Sequence, residues 1–403
     1  VTQTLPYGRH LIEPDDVAAV VEVLTSGQLT QGPRVEAFEQ ALAAKVGATA
    51  AVACSSGTAA LHLILAALDV GPGDICIAPA ISFLSTATAV RFCGAEVVFA
   101  DADPLTGHMT PQTLRQAAAR APRPAKVALP VHLGGRMANM PGLAEVAADL
   151  GLILVEDACH ALGSARAGAR AGGCAHSAAS AFSFHPVKTI ACGEGGMAVT
   201  KDPVLAERMR RLRNHGVTHD PALMVDPALS LDPAGRRHPW SYEQLELGFN
   251  YRMTDLEAAL GLSQLHKLDR FVARRAALAA AYDRRLASLA GRLWPVRPAP
   301  DEAPSLHLYA VQIDFDACGF TRDALMRDLA AQGIGTQVHY IPLYRQPYFA
   351  HRYGPLRLPG AEAWYDHVLA LPLFPAMADE DVDRVVDALE TALAAPSVSL
   401  TVG

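Results

Sequence analysis

Between residues 48 and 200 the chain keeps returning to one pattern: a short apolar run, a turn of small or polar residues, then a stretch with helical spacing. The apolar runs are Ala48–Ala53, Ile75–Ala78, Glu96–Ala100, Val127–Val131, Leu152–Val155, Ala178–Phe184 and Met197–Thr200, with helices read near 85–93 and 112–120. Strands separated by helices do not pair as hairpins, because each helix carries the chain back over the sheet so that the next strand runs parallel to the last. The pattern predicts an α/β fold, a mainly parallel sheet wrapped by helices. Ligands of such open sheets gather at the carboxyl ends of the strands.

Three strand exits carry reactive groups. Cys54-Ser-Ser-Gly-Thr58 ends the first run and opens a helix. Backbone N–H groups at a helix start, with Gly57 allowing close approach, suit a phosphate held by Gly57 and Thr58. The same turn also serves as an ordinary helix cap. Glu156-Asp157-Ala-Cys-His160 follows the run at 152–155. Asp-x-x-His could be half of a metal site, but no further cluster at ligand spacing accompanies it, and no metal is expected. The third exit, Ser180 to Gly196, holds one lysine and three glycines. The chain has only Lys45, Lys126, Lys188, Lys201 and Lys267 among its 34 Lys and Arg residues. An arginine neither sheds its proton nor forms an imine, whereas a desolvated lysine does both. Lys188 is thus a candidate Schiff-base nucleophile, although this segment alone fits a solvated lysine beside a turn equally well.

At 403 residues the chain exceeds one comfortable core. Beyond about residue 275 the pattern becomes α+β, with strands read at 306–315 and 336–340 and helices at 321–332, 361–369 and 378–394. The expected division is an N-terminal segment, 1–33, a large domain, 34–270, and a small domain, 271–403. A helix at 15–26 is closed by Gly27, a second runs from Arg34 to Lys45, and one long helix is read through Ala258, Leu262, Leu265, Leu268 and Phe271. Residues 220–239 lose periodicity and read as a surface loop.

Lys and Arg number 34 against 41 Asp and Glu, a net charge of −7 without a basic cluster, which speaks against nucleic acid as partner. The apolar runs break well before the ~20 residues of a bilayer span. Seven cysteines without zinc-like spacing read as reduced thiols, and the first ten residues lack signal-peptide regions. A soluble, cytoplasmic protein acting on small molecules is expected.

Phe182-Ser183-Phe-His185-Pro-Val-Lys188-Thr-Ile-Ala-Cys-Gly-Glu-Gly-Gly196, together with Asn250-Tyr-Arg-Met-Thr-Asp255, resembles the corresponding segments of the DegT/DnrJ/EryC1/StrS sugar aminotransferases, and the likeness extends over nearly the whole chain. That resemblance implies the aspartate-aminotransferase fold, fold type I, and pyridoxal 5′-phosphate bound to Lys188. It implies that Gly57, Thr58 and Ser183 hold the cofactor phosphate, Phe83 stacks on the ring, Asp157 pairs with the ring nitrogen, and His160 lies against the ring. Asn250 would reach the phosphate of the neighbouring subunit, so a homodimer with shared active sites is implied. Tyr7, the loop Gly27, Gln28, Leu29 and Thr30, then Ser56, His185, Gln337, Val338, His339 and Tyr340 would face the sugar. The implied substrates are L-glutamate and a nucleotide-linked 4-keto-6-deoxy sugar, a UDP-sugar by similarity to the members that serve pseudaminic acid synthesis. The dehydratase branch of the family, with histidine in place of the lysine, is set aside by Lys188. A cofactor-binding sensor without turnover would not need Lys188, Asp157, Ser183 and Asn250 together.

Overall fold

The computed structural model describes residues 4–394. Its main sheet comprises β1 (Ala50–Cys54), β2 (Ile75–Pro79), β3 (Glu96–Ala100), β4 (Val127–Ala128), β5 (Ile153–Asp157), β6 (Ala179–Ser183) and β7 (Gly196–Thr200). The order across the sheet is β1-β7-β6-β5-β4-β2-β3. From β6 to β3 all neighbours are parallel, while β7 runs antiparallel to β6 and β1. Helices Gly57–Ala67, Ser85–Phe92, Pro111–Arg120 and Met140–Leu150 link successive strands as far as β5. β6 and β7 are instead joined by residues 184–195 with no helix. An antiparallel neighbour needs only a reversal of direction, and this reversal is the stretch that bears Lys188.

The strands are buried on both faces, so alternate residues feed different cores. In β2, Cys76 and Ala78 join Leu61, Leu65 and Val155 on one side, whereas Ile75 and Ile77 join Leu114, Leu143 and Leu154 on the other. A third core brings Phe182 and Val199 against Phe38, Leu42 and Phe271.

A second, antiparallel sheet has the order β8 (Leu293–Pro295), β9 (Tyr309–Ile313), β10 (Val368–Leu371). Helices Leu268–Arg285, Arg322–Ala331 and Asp379–Ala394 cover it through Leu278, Tyr282, Leu325, Leu329, Val385 and Leu389. The N-terminal residues are stitched to this layer. Leu5 donates to Gly333 O at 2.8 Å and accepts from Gly335 N at 2.8 Å, and Leu373 N donates to Tyr7 O at 3.1 Å. Helix Pro14–Ser26 then packs on helix Asp255–His266 through buried Asp16, which takes Ser263 Oγ at 2.6 Å and Gln264 Nε2 at 2.7 Å.

Several elements differ from the sequence reading. The long helix through 258–271 is two helices, Asp255–His266 and Leu268–Arg285, broken at Lys267. The Lys267 ammonium reaches Asp15 at 2.6 Å, Asp16 at 2.8 Å and Glu13 at 3.3 Å, which binds the break to the N-terminal helix. β4 ends at Ala128 because Pro130 has no N–H to donate, and pairing resumes only as a bridge from Val131 to Asp157. No strand forms at 336–340: Gln337 exchanges single bonds with Ala370, and the chain then leaves the sheet for the cleft. The strand read at 306–315 is confined to β9, since residues 305–308 are drawn instead to Ser164 and Gly134. Val368 belongs to β10, not to the helix before it. Helices Met140–Leu150 and Pro203–Arg213, with β8 and β10, have no counterpart in the sequence reading. Residues 220–239 are irregular apart from one helical turn, Pro227–Ser230, and a single antiparallel bridge between Leu231 and Arg237. None of the seven cysteines is paired, and no helix among the described residues is long and apolar enough to cross a membrane.

Candidate active site

A cleft of about 570 Å³ opens at the carboxyl ends of the strands, between the two sheets. Its floor begins at Ser56, whose side chain caps helix Gly57–Ala67 by accepting from Ala59 N at 3.1 Å. The first free N–H groups of that helix therefore face the cleft. Gly57 lies so close to β6 that a Cβ there would stand 2.8 Å from Ser183 Cβ and 3.1 Å from Cys159 Sγ. Thr58 Oγ1 and Ser85 Oγ, 2.7 Å apart, join the starts of two helices, so both positive helix ends converge on one spot.

Asp157, the last residue of β5, is only 5% exposed. Its Oδ2 accepts from Thr86 Oγ1 at 2.6 Å and its Oδ1 from Cys159 N at 3.2 Å, while Ser82 Oγ lies 2.6 Å behind Thr86 Oγ1. A buried carboxylate stays bearable only with such donors. Lys188 is half-buried in the β6–β7 connection, in a turn closed by its own N–H to His185 O at 2.8 Å. Burial lowers the pKa of its amine, partly offset by Cys159 and the Asp157 charge. Lys188 is the one Lys or Arg among the described residues that line the cleft.

The far wall comes from Tyr7, His307 and the segment 337–341. The Tyr7 and His339 rings lie 5.6 Å apart, His160 and His307 4.5 Å, and Phe83 and Tyr340 6.1 Å. Burial drives His339 down to about 3, helped by the Lys188 charge, and pushes His160 and His307 well below the usual histidine range for the same first reason. Burial raises Tyr7 and takes Tyr340 well above the usual phenol value. This wall is neutral and polar. Phe83 is 54% exposed and turns an uncovered ring to the cleft.

Tyr7, Ser56, Gly57, Thr58, Phe83, Asp157, His160, Ser183, His185, Lys188 and residues 337–340 thus share one cavity. Gly27, Gln28, Leu29, Thr30 and Asn250 do not line it. They gather on a separate face, because Leu29 O accepts from Asp255 N at 2.9 Å, Thr30 bridges to Thr254, and Asn250 pairs with Asn214. The sequence reading also passed over Thr86, Ser85 and His307. Ser85 and Thr86 stand two and three residues after Phe83, at the start of the helix that follows the strand exit, a position that could have marked them.

A half-buried lysine, an aspartate held by two donors, converging helix starts and an uncovered aromatic ring share one cleft at the strand ends of a fold-type-I, aspartate-aminotransferase-like architecture. The sequence profile of the DegT/DnrJ/EryC1/StrS aminotransferase family matches residues 10–390, and the chain belongs to that family. Among similar solved structures is Helicobacter pylori PseC, an aminotransferase involved in the biosynthesis of pseudoaminic acid, with TM-score 0.88 and 27% identity over 97% of this chain and 99% of that one. DesV of S. venezuelae gives 0.83 and 34% over 98% and 100%, and the putative sugar aminotransferase Spr1654 of Streptococcus pneumoniae in its PLP form gives 0.85 and 28% over 97% and 98%. The protein is a pyridoxal-phosphate-dependent sugar aminotransferase.

Proposed function

We propose that the enzyme moves an amino group from L-glutamate to C4 of UDP-2-acetamido-2,6-dideoxy-β-L-arabino-hex-4-ulose, a step of pseudaminic acid synthesis. The observation that carries the catalytic part is Lys188, a half-buried residue whose amine is desolvated, sharing a cleft with Asp157. When bound, the cofactor supplies an electron sink for the carbanion left at the donor's Cα. In this reading Lys188 anchors it and shuttles the proton that leaves the donor's Cα, a task served by an amine made less basic by burial. Asp157, locked by Thr86 and the Cys159 N–H, would keep the ring nitrogen protonated. Gly57, Thr58 and Ser183, with the helix start behind them, would hold the phosphate, and Phe83 and His160 would flank the ring.

The sugar is read from the opposite wall. Gln337, Val338, His339 and Tyr340, with Tyr7, Ser56 and His185, offer neutral polar partners suited to hydroxyl and acetamido groups, each of which costs ~1–3 kcal/mol if buried unpaired. We assign the exposed face bearing Gly27–Thr30 and Asn250 to the cleft of a second copy, in a homodimer with two shared sites. Structural likeness to PseC supports the pseudaminic assignment. The test is a panel of 4-keto sugar nucleotides with glutamate, scored by 2-oxoglutarate release. A kcat/KM for the L-arabino ketone at least ~tenfold above that for its D-xylo epimer is expected. Equal values, or preference for a dTDP- or GDP-sugar, would remove the specific substrate and leave the sugar aminotransferase.

A further inference from the structure

Tyr340 reaches the cleft from the 337–341 segment, and its hydroxyl meets His160 Nε2 at 3.2 Å. The other ring nitrogen, Nδ1, accepts the backbone N–H of Gly134 at 3.2 Å. A backbone N–H can only donate, so Nδ1 must present a lone pair. That excludes the imidazolium and leaves the single ring proton on Nε2, which donates to the Tyr340 oxygen. The phenol keeps its own proton for another partner, and its open side is the cleft.

We propose that Gly134, His160 and Tyr340 form a one-way chain of hydrogen bonds that makes the Tyr340 hydroxyl a donor into the cleft, aimed at the keto oxygen of the acceptor sugar. This rests on the reading of the cleft as the site of sugar amination. A ketone oxygen has lone pairs only, and it gains negative charge as nitrogen adds to its carbon, so a fixed donor binds it more tightly as reaction proceeds.

The first link is clamped. Gly134 and Gly135 have φ of 68° and 90°, and a Cβ on Gly135 would stand 2.7 Å from Leu306 N and 2.8 Å from His307 N. Gly134 O accepts from Leu308 N at 3.2 Å, and Gly135 O from Ser164 Oγ at 2.7 Å. Behind them buried Arg275 spends its charge on backbone carbonyls, donating to Leu373 O at 2.8 Å and His307 O at 3.3 Å. The surroundings act in the same direction. Besides burial, Lys188, His339 and Arg136 all oppose a charge on His160, and Tyr7, Asp157 and Cys159 oppose loss of the Tyr340 proton.

Two measurements test this. In the ¹⁵N-histidine NMR spectrum of the whole chain without cofactor, the signal lost in His160→Gln should show protonated Nε2 and bare Nδ1 across neutral pH. An Nδ1–H tautomer, or titration near the ordinary ~6.5, overturns the chain of bonds. In single-turnover half-reactions followed by cofactor absorbance, Tyr340→Phe should slow the sugar half by ~10²–10³, at least tenfold more than the glutamate half. His160→Gln, whose amide N–H can stand in for Nε2–H, should keep more of the sugar rate than His160→Leu. Equal slowing of both halves by Tyr340→Phe, or no advantage of Gln over Leu, refutes the proposal. Native protein that fails with every keto sugar would count against the amination reading instead, and the NMR signature would still decide the hydrogen-bond direction.

Discussion

The cleft floor and the face carrying Gly27–Thr30 and Asn250 use similar polar residues and leave them in opposite states. On the floor, side chains are committed inside the chain: Asp157 to Thr86, Thr58 to Ser85, Ser56 to its own helix. On the face, Gln28, Leu29, Thr30 and Asn250 are exposed although their backbone is fixed. Buried Asp255 takes Gly32 N at 2.7 Å and Arg34 N at 2.9 Å, and its own N–H goes to Leu29 O. A loop whose backbone is held while its side chains stay in water is shaped for something outside the chain. These floor side chains find their partners within one copy; we propose that the face serves another.

The sharpest break between the two regions is Lys188→Ala, which should cut turnover by on the order of 10⁴-fold and remove the visible band of lysine-bound cofactor while circular dichroism stays native. Asn250→Ala should weaken cofactor retention by ~10–100-fold, the worth of one hydrogen bond to a charged group. At a cofactor concentration too low to load Asn250→Ala itself, mixing it with Lys188→Ala should recover about a quarter of native activity, since random exchange makes half the dimers mixed, each with one intact site. No recovery after proven subunit exchange would place Asn250 in its own chain's site. Thr86→Val should slow turnover about tenfold and lower stability by ~1–3 kcal/mol by leaving Asp157 Oδ2 short of its donor, with dimer exchange unchanged in calorimetry and sedimentation.

The smallest effect concerns stability and pH. Lys188 is less basic folded than unfolded, so below its folded pKa the fold carries a buried charge that the unfolded chain hydrates. Between the folded and the ordinary value the unfolded state binds more protons, and stability rises with pH. Lys188→Met should therefore raise the Tm of cofactor-free protein at pH 7 and raise it less above pH 10. An equal gain at both would show that packing, not charge, decides it.

The parallel sheet and the floor were legible because each is local: an apolar run, a turn, and one reactive residue at a strand exit, as at Gly57, Asp157 and Lys188. The rim was less so. Gln337 to Tyr340 read as a strand, yet only Gln337 finds a pairing partner, and that partner, Ala370, lies in a strand hidden behind the helix read at 361–369. The break at Lys267 is set by three acids some 250 positions earlier, a pairing no helical periodicity reveals. Thr86 and His307 matter through what they touch, and neither belongs to a motif.

The stitching of Leu5 between Gly333 and Gly335, with Tyr7 O tied to Leu373, gives the cleft two jaws drawn from different layers of the fold. One jaw holds Lys188 and Asp157 on the strand ends of the large sheet. The other holds Gln337, His339 and Tyr340, and Tyr7 travels with it, although the helix that follows Tyr7 packs on the opposite side at Asp255–His266. The few residues between Gly8 and Glu13 carry the chain from one jaw to the helix packed on the other. The first residues of the chain thereby act as a strap from one jaw to the other.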